Sequence, residues 1–113
     1  MNEKEFFTFL DTQKQAVLDE IQSLTDDGRK DEANILKAKS NVYDICKSIY
    51  SATAKTAPSH VVTAFPETFD RITCPWKASL EAAKAHGDDR KILIEEAKLS
   101  AVSEITAKLS ELS

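Results

Sequence analysis

Only two glycines and three prolines punctuate this chain of 113 residues, and all three prolines fall between residues 58 and 75. Chain reversals draw on residues that tolerate turn geometry, so few reversals are available here. The elements between them must therefore be long. Long helices meet that constraint. A many-stranded sheet would need a turn signal roughly every 8–12 residues. The length suits one domain built around one core. With 42% hydrophobic and 30% charged residues, the chain has the composition of a folded domain, not of a disordered segment.

Apolar residues recur at helical spacing in four stretches. The first spans about residues 3–24, with Phe6, Leu10, Val17, Ile21 and Leu24 on one stripe and Gln13 inside it. Asn2 is placed to cap it and Glu5 to complete a capping box. Gly28 suits the left-handed turn that ends it. The second stretch spans about residues 31–55. Its stripe is wide: Ile35, Leu36, Ala38, Val42, Tyr43, Ile45, Cys46, Ile49 and Tyr50 cover half the wheel or more, against the ~100° of a surface helix. Such a helix is covered from two sides, either as the centre of the domain or by a partner. Ala57-Pro58 stops it.

A third helix is expected over 66–86, opening at Pro66 and closing at His86-Gly87. Its apolar spacing runs straight through Pro75, so the helix is either kinked or broken there. The last helix, about 90–112, takes Asp88 or Asp89 as its cap. It carries a row of hydroxyls, Ser103, Thr106, Ser110 and Ser113, away from its apolar stripe. This row reads as a solvated face, a polar interface or a modification surface. The expected fold is all-α: an antiparallel bundle of about four helices within a single domain, residues 1–113.

Charge narrows the partners. Residues 1–57 carry 8 basic and 10 acidic groups, and residues 58–113 carry 7 and 9, so each half has a net charge of −2. Neither half offers the Lys/Arg cluster that binds phosphates, so neither nucleic acid nor an anionic membrane is expected as a partner. The Gly87 turn superficially matches a helix-turn-helix, but the following helix opens with Asp88 and Asp89 and carries Glu95 and Glu96. No run approaches a membrane span, and Met-Asn-Glu-Lys-Glu-Phe-Phe lacks the apolar core of an export signal. A cytoplasmic setting with Cys46 and Cys74 reduced is expected.

Two constellations compete for function. On the second helix, Val42, Tyr43, Cys46 and Tyr50 form an aromatic-edged strip suited to an interface, with a second copy or another helical protein as partner. The competing reading of that strip is core packing with hydroxyls at a wet rim. In segment 58–76, His60, Phe65, Arg71, Cys74 and Trp76 could line a pocket for a small molecule or for thiol redox chemistry. A helix starting at Pro75 would put the Cys74 sulfur near a positive dipole end and favour its thiolate, with His60 as the base. The competing reading of Cys74 is a small buried side chain beside a packed Trp. No Glu-x-x-His pair or zinc spacing occurs, so no metal and no cofactor are expected. The adjacent pair Glu95-Glu96 points to different helix faces and makes no acid/base pair. The sequence thus points first to a non-enzymatic, self-associating interaction module.

Overall fold

Gly28 and Gly87 take positive φ values of 77° and 67°, a conformation that a Cβ disfavours. Each closes a helix. The Arg29 N–H reaches the Leu24 carbonyl at 2.8 Å, and the Asp88 N–H reaches the Ala83 carbonyl at 3.0 Å. Both bonds satisfy carbonyls that the helix end would leave bare. In the computed structural model, which describes residues 3–112, no strand occurs. Four helices follow in order: α1 Glu3–Asp26, α2 Lys30–Thr56, α3 Val61–His86 and α4 Asp89–Leu112. Asn2, expected as the α1 cap, and Ser113 of the hydroxyl row lie outside the described residues. Of the two candidate caps for α4, Asp88 serves: its Oδ1 accepts the Lys91 N–H at 3.1 Å.

Helix α3 departs most from expectation. It starts at Val61, five residues before Pro66, because the His60 carbonyl accepts the N–H groups of Thr63 and Ala64. The apolar stretch after Ser59 is thus the first turn of α3. The helix also runs unbroken through both Pro66 and Pro75, so of the two alternatives expected at Pro75, a kink or a break, the break does not occur. Each proline removes the N–H that the carbonyl four residues earlier would accept. Those carbonyls belong to Val62 and Arg71, both exposed, where water can replace the missing donor. Packing of Phe65, Phe69, Thr73 and Ala83, all buried, holds the helix together across the two defects.

The helices alternate in direction, and α2 packs against all three others. The wide apolar arc of α2 is therefore the mark of a central helix. Helices α2 and α4 run parallel and touch along the middle, while α1 and α3 lie at the outer corners. The resulting slab measures 46 × 33 × 22 Å. Its thin dimension is about two helix diameters. The core is graded along the slab. At one end Phe6, Phe7, Tyr50, Phe65 and Phe69 form a ring cluster, with Tyr50 and Phe65 centroids 5.1 Å apart. Toward the Gly28 and Gly87 turns the buried side chains include small Ala33 and Ala83 and a single acid, Glu95.

Because α3 is continuous, Pro75 should be a net liability. It sits exposed in a helix interior, where proline costs about 3 kcal/mol relative to Ala, partly offset by its ordering of the unfolded chain. Pro75→Ala is expected to stabilise the fold by about 2 kcal/mol. Urea unfolding followed by helical circular dichroism measures this.

Candidate functional site

The four residues expected to form an interface are covered within the chain. Val42 and Cys46 are 0% exposed, Tyr43 1% and Tyr50 2%. Phe6 and Phe7 of α1 and Phe65 of α3 close around the Tyr50 ring. The Tyr43 hydroxyl donates to Glu104 Oε2 of α4 at 2.9 Å. These are core positions, because α2 has a neighbour on each side and its wide arc is spent on them. Burial pushes the Cys46 thiol up from its ordinary 9.0 to about 12. Burial, then the Glu104 hydrogen bond and charge, also raise Tyr43. Burial and, second, the Glu3 carboxylate raise Tyr50.

The five residues expected to form a pocket do not converge. Phe65 is fully buried and Trp76 half-buried, both on the core side of α3. His60, Arg71 and Cys74 are exposed on the other side. His60 lies fourteen positions before Cys74, about 21 Å along a helix axis, so it cannot act as that thiol's base. Because α3 does not restart at Pro75, Cys74 has no helix N-terminus beside it. Trp76 instead packs under Lys98 of α4, whose Nζ lies 4.4 Å from the ring centroid.

Two carboxylates on α4, half-buried Glu104 and buried Glu95, make contacts that the sequence left unassigned. Glu104 accepts from Gln13 of α1 at 2.7 Å, from Tyr43 of α2 at 2.9 Å, and pairs with Lys39 of α2 at 3.1 Å. It clasps three helices, and Gln13 inside the apolar stripe of α1 was its signal. Glu95 is buried, paired with Lys98 at 3.2 Å, and its Oε2 has no hydrogen-bond partner. Among the described residues no group of three or more His, Cys, Asp or Glu side chains is placed to hold a metal ion. Among the described residues no helix is long and apolar enough to cross a membrane.

Two of the surface grooves bear on the hydroxyl row and on the open edge of α2. One, of about 270 Å³, lies between α3 and α4 over Val62, Phe69, Val102 and Leu109, and Thr106 and Ser110 of the hydroxyl row edge it. A second groove runs between α2 and α3 and differs in carrying no charge. Ile49, Ala52, Thr53, Thr56 and Ala57 line it from the α2 side and Ala64, Thr68 and Ile72 from α3. Ile72 is 42% exposed. Ile45, four residues before Ile49 on the same face, is 37% exposed. The free apolar edge of α2 is therefore Ile45, Ile49 and Ala52, one step around the helix from the residues expected. The overly wide stripe signalled that edge but not which part of it stays uncovered.

The chain matches no family model, and comparison with curated proteins and with solved structures finds no match. Function is therefore read from these surfaces alone.

Three outcomes follow from this geometry. Glu104→Leu leaves the buried Tyr43 hydroxyl without an acceptor and should cost about 1–3 kcal/mol in urea unfolding. A thiol reagent should titrate one cysteine per native chain, Cys74, and both only after denaturation. Stability should fall as pH rises above 9: the unfolded chain then releases its thiol proton while buried Cys46 holds its proton up to about 12. Thermal melts from pH 8 to 11 measure that decline.

Proposed function

We propose that this chain is a non-enzymatic helical interaction module that self-associates through the groove between α2 and α3. One observation carries the reading: exposed Ile45 and Ile72 flank a groove whose lining holds aliphatic and threonine side chains and no charge. Covering exposed apolar surface drives association. The absence of charge favours a second copy. A two-fold contact sets each patch against its own image, so a charged patch would repel itself. Alanines at 52 and 64 let another helix approach closely. The two cysteines, both free, suit a reducing, cytoplasmic setting.

Light scattering across a concentration series tests this. The native chain is expected to move from 12.5 kDa toward twice that mass. Ile72→Asp, at a position exposed in the single chain, should fold normally. It should weaken the dimer at least about tenfold, because it buries an unpaired carboxylate. A native chain that stays at 12.5 kDa throughout would overturn self-association. An Ile72→Asp dimer as tight as the native one would remove this groove as its site.

A further inference from the structure

Glu67 and Arg71 stand three residues after Ala64 and Thr68, so each neighbours a residue of the α3 wall of the same groove on the solvent side. They stand four residues apart with the acid first, the favoured spacing and order for an ion pair within a helix. Both are exposed, yet neither takes part in an ion pair among the described residues. Arg71 makes only a long hydrogen bond, 3.4 Å, to Thr68 Oγ1. A matched pair of opposite charges thus borders an uncharged apolar groove with neither member in an ion pair.

We infer that Glu67 and Arg71 fix the register of a two-fold dimer in which the α3 helices of two copies lie antiparallel. This rests on the self-association proposed above. A two-fold axis passing level with Phe69 sets Glu67 of one copy opposite Arg71 of the other, and Arg71 opposite Glu67. One axis therefore satisfies four charges through two identical pairs. A parallel arrangement would bring Glu67 near Glu67 and Arg71 near Arg71. The wall residues suit the seam: Ala64 and Thr68 are small, so the two α3 axes can approach to about 8–10 Å. The α2/α3 grooves of the two copies then face each other across the seam, with Ile49 and Ile72 on its walls. The apolar groove supplies affinity, and the charge pair selects orientation and partner.

Two single reversals, Glu67→Arg and Arg71→Glu, test the seam by sedimentation equilibrium, with circular dichroism as a check on folding. Each variant alone meets its own like charges and should dimerise about tenfold more weakly than the native chain. Mixed in equal amounts, they should form a heterodimer that restores both ion pairs and returns to within about threefold of native affinity. Damage to the fold itself would not be repaired by mixing. A mixture no tighter than the single variants would overturn the antiparallel register, as would single variants that dimerise like the native chain, and either result leaves self-association standing. A native chain that never dimerises overturns the proposal at its root. The neutral double variant Glu67→Gln/Arg71→Gln gives a second check: its dimer should lose the weakening by added salt that the native dimer shows, and unchanged salt dependence counts against the pairs.

Discussion

Tyr50 stands where the start of α1 meets the end of α2 and the start of α3. Its ring lies 5.3 Å from Phe7, 5.8 Å from Phe6 and 5.1 Å from Phe65, centroid to centroid. Tilted and edge-on contacts of this kind add to the gain from burying the rings. The cluster joins the start of α1, the end of α2 and the start of α3, the end of the slab farthest from the two glycine turns. Helices α1 and α3 otherwise stand apart at opposite corners, and the rings of Phe6 and Phe65, 5.7 Å apart, link them. The extended start of α3 depends on this cluster, since Phe65 anchors the turn that precedes Pro66. Without that anchor, nothing in the local sequence favours a helix running into a proline.

Glu104 and Glu95 of α4 show how polar groups specify a packed bundle. Glu104 is satisfied by three donors from two helices, so it fixes the rotation of α4 against α1 and α2. A half-buried carboxylate bonded in this way disfavours other registers, because each would leave the Tyr43 hydroxyl without its acceptor. Glu95 stands in contrast. It is buried with one oxygen unpaired, while nearby Leu93 is 51% exposed. The first turns of α4 thus bury an acid and expose a leucine. The compromise follows from sharing: α4 must face both α2 and α3, and a single straight helix cannot aim each turn ideally at two neighbours.

Much of this was legible in the residues. The scarcity of turn formers, the four periodic stretches and the glycine stops map onto four helices with ends within a residue or two, except at Val61. The central position of α2 was visible in its wide stripe. The candidate sites were less legible. Tyr43 and Tyr50 have the composition of an interface strip, yet they are core residues, because aromatic side chains serve both roles with the same atoms. Cys74 and His60 are near in sequence, but a continuous helix turns that separation into distance along an axis.

Sequence alone determined the local terms: where helices start and stop, the start of α3 excepted, which stripe of each is apolar, and how charge is spread along the chain. Those properties depend on neighbours within a few residues, which periodicity records directly. Only the tertiary structure decided which edge of the α2 stripe stays open and which donors meet Glu104. It also decided that α3 crosses two prolines unbroken. Each of these outcomes compares packing among three or four helices, with sequence separations such as the 91 residues between Gln13 and Glu104. A propensity of a few kcal/mol in one segment is readily overridden by burial contributed from the others.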